Sequence, residues 1–172
     1  MRAGRNTGSG QKSKADHTKA GNERSYGGSR RGYLGIIGIG PGNPDQMSIK
    51  ARRTIEEAEV VVGYKTYIEL IRPLLEGKEV LSSGMTKEVD RSRTAIDRAL
   101  AGDRVVVVSS GDPGVYGMAG IVLELLEKEG LTGQIDVEVI PGITSATAAA
   151  ASLGAPLMHD FAVISLSDLL TP

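Results

Sequence analysis

The chain has no cysteine and no tryptophan, and a single phenylalanine among 172 residues. Without cysteine there is no disulfide scaffold, no thiolate metal site and no thiol nucleophile. With aromatics at 3%, a core has to be built from Val, Ile, Leu and Ala. No apolar run approaches the ~20 residues that a membrane-spanning helix requires. The start is polar and basic and lacks the apolar stretch of a secretory signal. These absences leave a soluble, cytoplasmic protein as the expectation, and the length suits one domain with a real hydrophobic core.

The formal charge of −1 hides a split. Residues 1–32 carry eight basic side chains against two acidic ones, and contain no Val, Ile, Leu or Phe. Such a segment buries too little apolar surface to offset the entropy of ordering, so it reads as a disordered basic leader. It has one aromatic, Tyr26, and no arginine-rich block, so it reads as a solvated leader rather than a nucleic-acid-binding arm. His17 lies in it and has no assigned role.

From Tyr33 onward the pattern changes. Short Val/Ile-rich runs at 33–39, 59–63, 79–81, 104–109, 137–140 and 161–165 read as strands. Helical spacing occupies 49–58, 67–75, 91–101, 119–129 and 144–153, with Ser48 placed to cap the first. Ile96 and Leu100 are expected on one buried face of the 91–101 helix. Continuous apolar strands alternating with helices predict an α/β fold, a mostly parallel sheet with helices on both faces. Residues 33–166 form this domain, and 167–172 read as the start of a linker.

Ligands of open parallel sheets bind beyond the carboxyl ends of strands. Three strand ends here carry loops rich in Gly and Pro: 38–44, 109–117 and 141–146. The first is not a dinucleotide fingerprint, because Asn43 stands where the third glycine of Gly-x-Gly-x-x-Gly is required. No Gly-Lys pair is followed by Ser or Thr, since Gly77-Lys78 leads to Glu79, and Pro41 and Pro44 remove two amide donors. NAD and ATP are therefore disfavoured. In the second loop, Asp112 before Pro113 is either plain turn chemistry or a polar contact to a ligand, walled by Val115, Tyr116 and Met118. The third loop enters a helix of small residues, which permits close packing or a flat ligand, with Thr144 and Ser145 at its start.

The segments GIGPGNPDQMSIKA, SSGDPGVYGMAG and PGITSATAAAASLGAPL together resemble the tetrapyrrole (corrin/porphyrin) methylase family. GYKTY at 63–67, GMTKEVDR at 84–91 and the ending LSDLLTP resemble its precorrin-3B C(17)-methyltransferase and cobalt-factor III branch. The resemblance implies S-adenosylmethionine as cofactor and a tetrapyrrole as substrate. It implies the N-terminal α/β domain of a two-domain enzyme, with the second domain beyond this sequence, and a homodimer. Carried over by motif, Pro41, Gly111, Asp112, Val115, Tyr116, Thr144 and Ser145 become cofactor contacts. Gly40, Gly42, Tyr64, Met85, Glu88 and Arg91 become substrate contacts.

Methyl transfer from a sulfonium is largely a matter of placement, whereas ring contraction in this branch also requires proton transfers. Some relatives carry an acidic residue where Tyr64 stands, so no catalytic role is transferred, and Tyr64, Glu88 and Arg91 remain candidates. Glu88 and Arg91 read equally as a solvated helix start with an ion pair, and Lys87 as a surface residue. No metal site is expected: His159 beside Asp160 reads as structural at a strand entrance. Met85, Met118 and Met158 read as packing residues in the first instance. The alternatives are a related methylase acting on a diphthamide precursor or ribosomal RNA, and a noncatalytic fragment serving as an interaction module.

Overall fold

The computed structural model describes residues 30–165. The leader up to residue 29, His17 within it, and residues 166–172 lie outside the described residues. Five strands form one sheet: β1 (Tyr33–Gly38), β2 (Val60–Tyr64), β3 (Glu79–Ser83), β4 (Arg104–Ser109) and β5 (Asp136–Ile140). Their order is β3-β2-β4-β1-β5, and every pairing is parallel. Each of the first four strands is therefore followed by a crossover, and these carry α1 (Ile49–Glu57), α2 (Lys65–Leu70), α3 (Glu88–Leu100) and α4 (Met118–Lys128). A fifth helix, α5 (Ser145–Leu153), follows β5.

Successive side chains of a strand point to opposite faces, and the strands use both. Leu34, Ile36, Val60, Val62, Val105 and Val107 pack against Ala95, Ile96 and Ala99 of α3 and Val122 and Leu126 of α4. Ile37, Val61, Val106 and Val108 pack on the other face against Ala51 and Ile55 of α1 and Ile68 of α2. This two-sided burial is why the valine runs show no alternation with polar residues. Ser48 caps α1, its hydroxyl accepting the Ala51 amide at 3.1 Å.

Some expected elements differ. The segment 161–165 is not a strand; its first four residues are exposed, because no sheet edge takes up their backbone groups. The helix expected over 67–75 begins at Lys65 and ends at Leu70, and Arg72–Leu74 form a separate 3-10 turn around Pro73. The helix expected from Arg91 begins at Glu88, so Glu88 and Asp90 sit in its first turn, where acidic charge suits the helix dipole. Leu100 is 40% exposed, because the buried stripe of α3 runs through Arg91, Ser92, Ala95, Ile96 and Ala99.

Arg30 and Arg31, assigned to the leader, are tied to the domain. Arg30 pairs with Glu59 at 3.1 Å, and Arg31 pairs with Asp136 at 3.0 Å and donates to the Gly133 carbonyl. No helix among the described residues is long and apolar enough to cross a membrane.

Candidate functional site

Strand order decides where the site lies. The crossover from β1 leads to β2 on one side, and the crossover from β4 leads to β5 on the other, while β1 and β4 are neighbours. Adjacent strands whose connections diverge leave a crevice beyond their carboxyl ends. The loops after β1 and β4 border that crevice, and the loop after β5 joins them because β5 flanks β1.

The three loops are stitched together through their backbones. The Gly40 amide donates to the Gly111 carbonyl at 3.1 Å, and the Gly111 amide returns the bond to Gly40 at 2.8 Å. Asp112 Oδ1 accepts the Gly114 amide at 2.8 Å, and Oδ2 accepts the Gly142 amide at 3.0 Å. The approach admits no side chain: a Cβ at Gly142 would lie 2.1 Å from the Gly111 carbonyl oxygen, and one at Gly38 would lie 2.3 Å from the same atom. The turn reading of Asp112 is thus met, its carboxylate being held by two backbone amides, and the residue also lines a cavity.

That cavity, about 390 Å³, lies among the three loops. Gly40, Pro41 and Gly42 line it from the first loop, Gly111, Asp112, Val115 and Tyr116 from the second, and Thr144 and Ser145 from the third. Every residue named from the sequence as a cofactor contact is in this set. Among the described residues, Asp112 is its one charged lining residue. Thr144 is the cap of α5, its hydroxyl accepting the Thr147 amide at 3.3 Å, so the start of that helix faces the cavity.

Ser110, Leu70 and Val163 also line it and were not named as contacts. Ser110 stands inside a quoted motif, and Leu70 is an exposed leucine at the end of α2, near Gly42. Nothing in the sequence places Val163 there. Its carbonyl accepts the Tyr116 hydroxyl at 3.0 Å, so the segment expected as a final strand instead passes beside the site. Tyr116 itself is one of two non-glycine residues with positive φ among those described, at 52°.

A second cavity, about 170 Å³, adjoins the first; Ser110 and Tyr116 line both. Tyr64, Met85, Glu88 and Arg91 line it, as does Tyr67, whose ring meets Tyr64 edge-on at 5.2 Å. The residues named as substrate contacts thus divide: Gly40 and Gly42 lie at the first cavity, and the other four at the second. Met118 lines the second cavity, not the first.

Arg91 corrects the reading of a solvated helix start. Its side chain is 4% exposed, although the ion pair to Glu88 is present at 3.3 Å. The buried stripe of α3 carries it inward, toward Ser83 at the end of β3. Met85 and Met158 are exposed, whereas Met118 is buried, so packing describes only the last. His159 is exposed, and the described residues that follow it, up to 165, form no strand. Among the described residues no group of three or more His, Cys, Asp or Glu side chains is gathered.

Comparison with known proteins converges. The profile of the family Tetrapyrrole (Corrin/Porphyrin) Methylases matches residues 34–172. A protein of Salmonella typhimurium called probable cobalt-factor III C(17)-methyltransferase is 52% identical over 139 residues, 81% of this chain and 57% of that protein. The cobalt-factor III methyltransferase of Priestia megaterium is 49% identical over 83% of this chain and 27% of its own length. The crystal structure of the methyltransferase CobJ superposes with a TM-score of 0.77 at 42% identity, covering 82% of this chain and 59% of that one. The uroporphyrin-III C-methyltransferase of Thermus thermophilus, solved with S-adenosylhomocysteine, superposes at 0.55 with 30% identity, over 75% of this chain and 54% of its own. The chain spans little more than half the length of the longest-matched of these relatives, and less of the others.

Proposed function

The chain belongs to the tetrapyrrole (corrin/porphyrin) methylases, and from that premise we propose that it holds the cofactor site of an S-adenosylmethionine-dependent C-methyltransferase of cobalamin biosynthesis. The acceptor is cobalt-factor III or precorrin-3B, methylated at C(17) with contraction of the macrocycle. The observation that carries this reading is the cavity walled by three glycine-bearing loops, with Asp112 as its single charged side chain among the described residues.

The residues present fit the cofactor. The cavity volume of about 390 Å³ falls in the usual range for small-molecule sites, ~300–1,000 Å³. Gly40, Gly42 and Gly111 present backbone rather than side chain, Val115 and Leu70 supply apolar contact, and Ser110, Thr144 and Ser145 supply hydroxyls. The carboxylate of Asp112 favours a cation over an anion at this place. Bound S-adenosylmethionine supplies a methyl group already activated by its sulfonium, so the protein's share of catalysis is positioning.

The chain's residues divide that work. Asp112 fixes the second and third loops against each other, which sets the width of the cavity. Tyr116 and Ser110 join the cofactor cavity to the second one, where part of the acceptor sits. Tyr64 and Glu88 line that cavity, and on this reading their hydroxyl and carboxylate hold or move a proton during ring contraction. The branch names of the relatives favour this acceptor over a diphthamide precursor or RNA.

The same reading places the enzyme in the cytoplasm as a homodimer, with a second domain packed over α5. Two observations support that second domain: the relatives exceed the aligned chain in length, and no residue of α5 is buried.

Calorimetry with S-adenosylhomocysteine tests the site. Binding that Asp112→Ala weakens is the expected result. Binding unchanged by that substitution would remove the assigned site from the proposal.

A further inference from the structure

One residue that lines the second cavity carries an unanswered donor. Arg91 lines it with a side chain 4% exposed. Nη1 donates to Ser83 Oγ at 3.0 Å and to the Gly84 carbonyl at 3.5 Å, and Nη2 donates to Glu88 Oε1 at 3.3 Å. Nε is buried and has no hydrogen-bond partner among the described residues. A buried guanidinium N–H without an acceptor carries its full desolvation cost.

The unpaired nitrogen belongs to a particular edge. Nε and Nη2 together form one side of the planar guanidinium, and such a side takes a carboxylate through two parallel hydrogen bonds. Glu88 reaches only one of these two nitrogens, and at a long distance. The nearest lysine in sequence, Lys87, is paired with Asp90 at 3.2 Å. Tyr64, Tyr67, Met85 and Ile121 supply bulky, largely apolar walls, which keep a charge pair there from being fully screened by water.

We infer that the Nε–Nη2 edge of Arg91 receives a carboxylate of the acceptor, making the second cavity a subsite for one short acidic arm. The arm enters past Tyr116 and Ser110, which line both cavities. A volume of about 170 Å³ suits such an arm and not a further ring system. Glu88, half exposed, stays on Nη2 or gives way to the incoming carboxylate. This inference rests on the methylase reading, because that reading supplies a polyacidic macrocycle at the adjoining cavity. The competing account makes Arg91 a clamp between the end of β3 and the start of α3, with no ligand role.

The test titrates the protein with cobalt-factor III and with the same macrocycle after its carboxylates have been converted to amides. Arg91→Gln is expected to weaken binding of the acid about tenfold or more, and of the amide less than about twofold, with Arg91→Lys in between. Affinity for S-adenosylhomocysteine stays unchanged in both variants. The wild-type protein supplies a readout independent of variant folding. Its Arg91 Nε–H resonance, identified by its loss in Arg91→Lys, moves on addition of the acid and not of the amide. Equal weakening toward acid and amide, or an unmoved Nε resonance, overturns the inference and leaves the clamp. Failure of the wild-type protein to bind S-adenosylhomocysteine, with the Nε response intact, would instead count against the methylase reading alone.

Discussion

Asp112 and Gly142, thirty residues apart, are joined by a 3.0 Å hydrogen bond from the Gly142 amide to the Asp112 carboxylate. The other carboxylate oxygen holds the Gly114 amide at 2.8 Å. One side chain thus fixes the turn after β4 and docks the loop after β5 onto it. Hydrogen bonds to a charged group contribute roughly 1.5–3 kcal/mol each. Asp112→Ala removes both acceptors, and Asp112→Asn keeps one good acceptor. We expect S-adenosylhomocysteine affinity to fall about tenfold in the Asn variant and about a hundredfold in the Ala variant. Calorimetry checks the ranking; equal affinities in the two variants would contradict the bracing role.

Gly142 permits that docking because it has no side chain. A methyl there would stand 2.1 Å from the Gly111 carbonyl oxygen, which belongs to backbone and has little room to yield. Gly142→Ala is therefore expected to spread the loops, with ligand affinity lost about tenfold or more while the sheet stays folded. Far-ultraviolet circular dichroism unchanged beside lost binding is the expected pair of results. Retained binding would show that the loops can shift at no cost to the site.

Gly120 provides the opposite case. It lies in the first turn of α4, a Cβ there meets nothing within 4 Å, and it lines neither cavity. Glycine inside a helix is less stable than alanine by roughly 0.5–1 kcal/mol. Gly120→Ala is expected to raise stability by about that much in urea unfolding and to leave S-adenosylhomocysteine affinity unchanged. A destabilised variant would point to a neighbour packed on this face.

Tyr33 gives a pH dependence. Burial raises its pKa well above the ordinary value of about 10. The Glu138 carboxylate, which accepts its hydroxyl at 2.7 Å, pushes the same way, while Thr54 and Arg104 oppose. The folded protein thus holds this proton more tightly than the unfolded chain does. Its contribution to stability is fully present below about pH 10 and is lost as pH rises through the folded value. Unfolding midpoints measured across the alkaline range should fall more steeply for wild type than for Tyr33→Phe. Parallel curves would mean that the phenol titrates normally.

The exposure of α5 predicts its dynamics. None of its residues is buried, and Leu153 at its end is 80% exposed, so little tertiary packing protects its backbone. In hydrogen exchange on this chain, amides late in α5 should exchange much faster than those of Ala95, Ile96 and Ala99 in α3, which are fully buried. In a longer protein carrying a second domain over α5, the difference should shrink. Equal protection in this chain would mean that α5 already has a cover.

The sequence alone determined the strands and most helices, because burial on both sheet faces forces unbroken Val and Ile runs such as those around Val61 and Val106. It also determined the three glycine-bearing loops, because backbone packed as closely as Gly38 against Gly142 excludes any side chain. Local rules placed the Ser48 cap for the same kind of reason, since the partner amide lies within one turn. The tertiary structure alone decided what depends on distant neighbours. Strand order put the loops after β1, β4 and β5 together, and nothing local to any strand encodes which strand will lie beside it. The 161–165 segment has the composition of a strand, yet pairing requires a sheet edge, and its Val163 carbonyl binds Tyr116 instead. From the sequence Arg91 reads equally as a substrate contact and as half of a solvated ion pair with Glu88; only the packing of α3 carries it inside, where burial turns an ordinary arginine into an unanswered donor.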